Sequence, residues 1–241
     1  MSDKNKPVLY WLRSDLRLDD NPALAAALAS GKAVIPVYIL DDKNTGIWKR
    51  GSASRWWLHH SLAALAQSMQ ENNLHPLVYA KGDPLDILST IIAKTGVTDV
   101  YWNRCYEPWA ISRDTVIKET LRKNGAEVHS SAGYLLFEPW EIKNKSGQPY
   151  QVFTPFSKAC FEKAEAFMPP FDFVQPAKKS APDVLYQDLS LNDLSLLPYI
   201  KWYKGMESHW QPGEDGAHKR FQAFLSDGIG HYKTARVFPA Q

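Results

Sequence analysis

The chain has 241 residues, 44% of them hydrophobic, and 28 Lys and Arg against 26 Asp and Glu leave a formal net charge of +2. This length allows one large domain or a domain with an appendage, and the apolar content supplies a sizeable core. The near-neutral balance announces neither nucleic acid nor membrane as a partner, so any such contact has to come from a local patch.

No apolar run approaches the roughly 20 residues of a membrane span. The opening MSDKNKPV lacks the apolar stretch of a secretory signal. Cys105 and Cys160 stand far apart with no CxxC or Cys/His spacing, which speaks for reduced thiols in a cytoplasmic protein and against a metal site. Nine Trp and eleven Tyr are the compositional oddity, either filling a bulky core or lining a flat ligand.

In chain order, Val8 to Leu12 reads as a buried strand. Asn21-Pro22 then supplies an N-cap and a first-turn proline for an Ala-rich helix that Gly31 stops. Ala33 to Leu40 is a second apolar strand. Ser52 or Ser54 caps a long helix whose Trp57, Leu58, Leu62, Leu65 and Met69 fall at helical spacing. Leu77 to Ala80 is strand three, Asp83-Pro84 opens a helix ending at Gly96, and residues 99 to 102 form strand four. Residues 107 to 125 make the next helix, and 126 to 130 the fifth strand. Short apolar strands alternating with helices predict a doubly wound α/β domain, a five-stranded parallel sheet covered on both faces, over residues 1–131.

Such sheets bind ligands beyond the carboxyl ends of their strands. The charged, glycine-free stretch after the first strand, with Arg13, Asp15, Arg17 and Asp20, lies there, as does NRCYEPW at 103 to 109. Neither carries GxGxxG or a P-loop, so the usual backbone cradles for pyrophosphate are missing. Beyond residue 140 the pattern changes. TPFSKACFEKAEAF reads as a helix, about forty residues from Met168 onward lack a convincing period, and a last helix over 213 to 232 places Ala217, Phe221, Phe224 and Leu225 on one face. Residues 132–212 are thus expected to be an interdomain linker with one or more helices.

Taken together and in order, these segments resemble the DNA photolyase/cryptochrome family, in particular the class I-like deoxyribodipyrimidine photolyases. Trp11, Arg13, Asp15, Leu16, Arg17, Asp20, Asn21, Ala23 and Leu24 match the family's opening signature. WWLHHSLAAL, VFTPF and GEDGAHKRFQAFL resemble its later landmarks. The resemblance implies a Rossmann-like antenna domain, a long linker, and over residues 213–241 the start of an all-helical FAD domain whose remainder is missing. It implies Tyr232 as a contact to FAD, no catalytic residue within this chain, UV-damaged DNA as the partner of an intact relative, and a second light-harvesting chromophore.

For that chromophore a folate, an 8-hydroxy-deazaflavin or a flavin all stay open. Tyr106-Glu107 is followed by Pro108, Trp109 and Ala110, where folate-binding relatives carry an Asn-Glu pair. Arg55, Asn103 and Glu107 are candidate polar contacts, with surface caps or salt bridges as the plainer roles, and Trp109 either stacks on a ring or packs. Arg13, Asp15, Arg17 and Asp20 either form salt bridges that fix the first loop or shape the chromophore pocket.

Adjacent His59 and His60 point different ways on their helix, so they do not suit one metal, and one is expected to be buried and hydrogen-bonded. No metal and no membrane contact are expected, and no Ser/His/Asp constellation stands out. From residue 151 onward Lys and Arg are matched by Asp and Glu, with no basic stripe. A photolyase acting by electron transfer on cyclobutane pyrimidine dimers is the reading the resemblance implies. A cryptochrome-like blue-light receptor and a free-standing chromophore-binding or interaction module are its rivals.

Overall fold

The computed structural model describes residues 6–163 and 189–237. Five parallel strands, β1 (Val8–Leu12), β2 (Val34–Leu40), β3 (Val78–Lys81), β4 (Asp99–Asn103) and β5 (Glu127–Ser131), form one sheet in the order β3-β2-β1-β4-β5. The chain runs outward from β1 to β3, then returns to lay β4 against the free side of β1. The direction of winding therefore reverses between β1 and β4, the place where open α/β sheets form their ligand crevice. The expected α/β class and strand count are what the structure has.

Helices α1 (Pro22–Ala29), α2 (Ser52–Glu71), α3 (Pro84–Thr95) and α4 (Pro108–Lys123) cover the sheet. Alternate strand residues face opposite sides. Val8, Tyr10 and Leu12 point into a core with Leu58, Leu62, Leu65 and Met69 of α2, while Leu9 and Trp11 join Ile87, Leu88 and Ile91 of α3 and Ile117 and Leu121 of α4. Two cores buried on two faces explain why β1 and β2 read as unbroken apolar runs. Local chemistry sets the helix ends. Asn21 Oδ1 accepts the Leu24 N–H and Asp83 accepts that of Leu85, each followed by a proline, and Gly96 closes α3 in the left-handed region at φ 68°.

Some expectations need correction. Gly51, not a serine, is the N-cap of α2, and Ser52 is its first helical residue. The buried indole of that helix is Trp56, whereas Trp57 is partly exposed. Trp56 lies between the His60 ring, 4.7 Å away on the same helix, and the Tyr203 ring, 6.0 Å away. Neither His59 nor His60 is the buried, bonded member of a pair. Both are partly exposed, and each keeps one buried ring nitrogen without a hydrogen-bond partner.

Helix α5 (Phe153–Lys163) follows the α/β unit; the rest of its expected span and the start of the connector lie outside the described residues. From Leu189 the connector is ordered by contact with the α/β unit. Leu189 bridges to Tyr79, Ser190 and Asp193 form a reciprocal capping box, and Leu194 and Leu196 sit inside the α2-side core. The chain then forms α6 (Lys204–Glu207), α7 (Glu214–Ala223) and α8 (Tyr232–Ala235). The single last helix expected from sequence is broken after α7 by a widened turn at Phe224–Gly228 and a tight one at Ile229–His231. Gly228 and Gly230 in this stretch weaken helical propagation.

Candidate functional site

The loop that leaves β1 has no glycine because side chains hold its backbone. Asp15 is buried beneath it, and its carboxylate accepts the Arg13 amide at 3.1 Å, Asn103 Nδ2 at 2.5 Å and the Tyr10 hydroxyl at 3.3 Å. Asn103, fully buried at the end of β4, also donates to Asn21 Oδ1 and accepts the Ala23 N–H, tying the loop to the start of α1. Arg17 spans the loop top, donating to Asp20 O at 2.7 Å and Gly133 O at 2.9 Å. Those bonds hold Asp20 at φ 47°, a conformation that Asp tolerates better than most residues. Gly133 is itself required, since a Cβ there would lie 2.4 Å from Asn103 Cγ.

Among the described residues Arg13 makes one of the salt bridges expected to fix the loop, while Asp15 and Arg17 hold it in other ways. Asp15 is held by neutral donors and Arg17 by carbonyl oxygens. Arg13 instead reaches helix α4, where its Nη1 meets Asp114 Oδ2 at 2.5 Å. Arg113 binds the other Asp114 oxygen at 2.7 Å and Asp41 at 3.0 Å. Aromatic faces complete the cluster: Arg13 lies 4.8 Å from the Trp11 ring centroid, and Arg113 lies 5.0 Å from those of both Trp11 and Trp109. Burial opposes the charge on Arg13, but Asp114 outweighs it and raises the pKa, so the guanidinium stays charged.

This cluster floors a cleft of about 710 Å³ at the carboxyl ends of β1, β2 and β4. Tyr38, Trp48 and Trp109 give it aromatic walls, and Asp41, Asp42, Glu107 and Arg50 give it polar ones. The volume falls within the range that holds a drug-sized ligand. Burial pushes the Tyr38 hydroxyl up to about 12 and also raises the Cys105 thiol, so both stay protonated at neutral pH. With Arg13, Asp41, Asp42 and Arg113 engaged in pairs and its thiol protonated, the cleft is arranged to hold and orient a flat, partly polar molecule.

The structure divides the candidate residues. Glu107, N-cap of α4, and Trp109 line the cleft. Arg55 does not line it, but pairs at 2.6 Å with Asp42, which does. Asn103 lies under the loop as the hub described above. Tyr232 stands far along the chain on α8, half exposed, with Phe224 against its ring. Sequence reasoning missed Arg113, Asp114, Asp41 and Tyr38. Asp41 follows an apolar strand and Arg113 sits one helical turn past Trp109, so the signal was their position beyond strand ends. Arg113 and Asp114 pair as sequence neighbours, but their bonds to Asp41 and Arg13 cross 72 and 101 residues. Asp19, Glu214 and His218 place ligand-type atoms within 4.8 Å of one another, but both Glu214 oxygens already accept backbone amides, and the cluster carries no metal assignment. Among the described residues no helix is long and apolar enough to cross a membrane.

Comparison with known proteins agrees with this geometry. The DNA photolyase family model matches residues 8–177. A deoxyribodipyrimidine photo-lyase from Agrobacterium fabrum is 42% identical over 242 residues, covering 100% of this chain and 49% of the relative. Cryptochrome-2 of Arabidopsis thaliana is 32% identical, covering 95% of this chain and 37% of its own length. The crystal structure of a bacterial class III photolyase from Agrobacterium tumefaciens superposes with a TM-score of 0.89 at 40% identity, over all of this chain and 49% of that one. The chain thus spans about half the length of the photo-lyase it matches, or less of the cryptochrome. From its opening loop through its sheet and cleft, this chain belongs to the DNA photolyase family.

Proposed function

We propose that this chain is the antenna-chromophore-binding part of a light-driven DNA photolyase. The observation that carries the reading is the cleft at the β1/β4 switch point, with aromatic walls and a paired-charge floor in a photolyase-family fold. When bound, a folate, 8-hydroxy-deazaflavin or flavin supplies absorption in the near-ultraviolet and blue. The chain's own residues do the placing: Trp48 and Trp109 offer faces for stacking, Glu107 presents an acceptor to a ring N–H group, and the Arg13–Asp114–Arg113 cluster keeps the floor rigid.

On this reading residues 1–131 are the antenna domain, 132–212 the linker, and 213–241 the start of the FAD-binding domain. Tyr232 does not line the cleft described above, and a single half-exposed tyrosine does not hold a flavin. The FAD site and the residues that repair a pyrimidine dimer in UV-damaged DNA then belong to the half of the relatives' length that this chain does not cover, and the chain by itself does not repair. The work is cytoplasmic and needs no membrane. A cryptochrome-like light receptor is the second reading, favoured by the match to Cryptochrome-2.

The test is an absorption spectrum of the purified chain across the near-ultraviolet and blue, then denaturation and chromatographic identification of any released chromophore. A bound folate, deazaflavin or flavin, lost in Trp109→Ala, supports the antenna reading. A chain that stays colourless after each is added defeats it. Light-dependent dimer repair by the chain alone would overturn the division of labour.

A further inference from the structure

The loop from Arg13 to Asp20 is a wall with a hollow on each side. Arg13 and Ser14 line the cleft described above, while Leu16, Arg17 and Asp19 line a second hollow of about 480 Å³ whose far side is the start of α7. Ser14 and Arg50 belong to both, and Arg50 Nη2 donates to Ser14 Oγ at 2.9 Å. A shift of this wall therefore changes the two spaces together.

Glu214, the first residue of α7, grips the wall from behind. Its Oε2 accepts the Leu18 N–H at 2.9 Å and its Oε1 the Asp19 N–H at 3.0 Å, a contact across 196 residues of chain. Bonds from amides to a carboxylate are stronger than neutral ones. The entry to α7 is pressed close to α2: Gly213 has φ 108°, and a Cβ there would stand 2.7 Å from the Ala64 Cβ. At its other end the wall is stapled by Asp15 and Asn103, while Arg17 ties the end beside Leu18 to Asp20 and Gly133. A glycine-free loop held in this way moves as a unit, so a force at Leu18 and Asp19 is felt at Ser14.

We infer that Glu214 is a positioning residue for the cleft: by holding Leu18 and Asp19 it sets the wall that carries Arg13 and Ser14, which couples occupation of the cleft to the seating of α7. The inference rests on the cleft being a ligand site. Coupling of this kind is reciprocal, so a ligand in the cleft must steady α7, and loss of the α7 contact must weaken the ligand.

The experiment uses the full chain with riboflavin as probe, in wild type, E214A and E214Q, with circular dichroism to verify the fold. Riboflavin affinity is read by fluorescence quenching and local order by hydrogen exchange of peptides from α7 and from residues 13–20. E214A is expected to weaken riboflavin about 5- to 10-fold, in the lower part of the range for coupled sites, and E214Q, which keeps one acceptor oxygen, to recover part of the loss. Riboflavin is expected to slow exchange in α7 of the wild type and to leave it unchanged in E214A. Equal affinities, or α7 exchange that ignores riboflavin in the wild type, overturn the coupling. Should the wild type bind no riboflavin, the flavin form of the cleft reading fails separately. The latch is then read without ligand: E214A must speed exchange across residues 13–20 and shift the fluorine resonance of 5-fluorotryptophan at Trp48, and unchanged signals overturn it.

Discussion

The α/β unit and the stretch from Leu197 to Val237 both carry large aromatic side chains, and they bury them to different degrees. Tyr10, Trp11, Trp56 and Trp102 are at most 1% exposed, whereas Tyr199, Trp202, Trp210, Phe221 and Tyr232 all stand well out of the protein. A parallel sheet with helices on both faces closes two cores from its own strands and helices. The later stretch meets that unit at a few points: Tyr203 over Trp56, Trp210 against Trp57, and Glu214 on the first loop. The two cores and the cleft's lining therefore belong to the first region, while the second docks on it through a handful of named contacts, among them the grip of Glu214 on the cleft's wall.

The comparison breaks most easily at the cluster beneath the cleft. Arg113→Met leaves the largely covered Asp41 and Asp114 with one fewer cation, and the cost is expected near the lower end of the about 3–5 kcal/mol for removing one partner of a buried pair. Urea unfolding should show this as a lowered midpoint at unchanged slope. Next comes the tether. Leu194→Ala removes a fully buried side chain from the α2-side core and is expected to cost about 3 kcal/mol. If global unfolding of the α/β unit does not register that change, the tether is not part of its core.

A smaller effect is set by pH. Burial, with His60 adding to it, holds the pKa of His59 below that of an ordinary histidine. The unfolded chain then binds the proton more tightly than the folded one. Stability is therefore full above the ordinary histidine pKa of about 6.5 and falls as pH drops from there toward the folded value. Melting temperature followed from neutral to mildly acidic pH should show this slope, and His59→Gln should flatten it. The smallest effect belongs to the second region. Phe221→Ser, at an exposed position, should change stability by no more than about 0.5 kcal/mol while lowering the binding of a hydrophobic dye.

What the sequence determined by itself was everything carried by near neighbours. Apolar alternation located five strands and four covering helices, Asn21 and Asp83 announced helix starts through contacts two or three residues away, and strand order in such folds pointed to the crevice. Glu107 and Trp109 were found because they follow a strand directly. Tertiary structure alone decided the rest. Arg13 finds Asp114 across 101 residues, Glu214 finds the first loop across 196, and Tyr203 and Trp210 return from the later stretch to pack on Trp56 and Trp57. Each of these depends on which surfaces the finished fold brings within reach. Charge pairing, unlike burial, carries no period along the chain, so the opening run of arginines and aspartates named its participants without naming their partners.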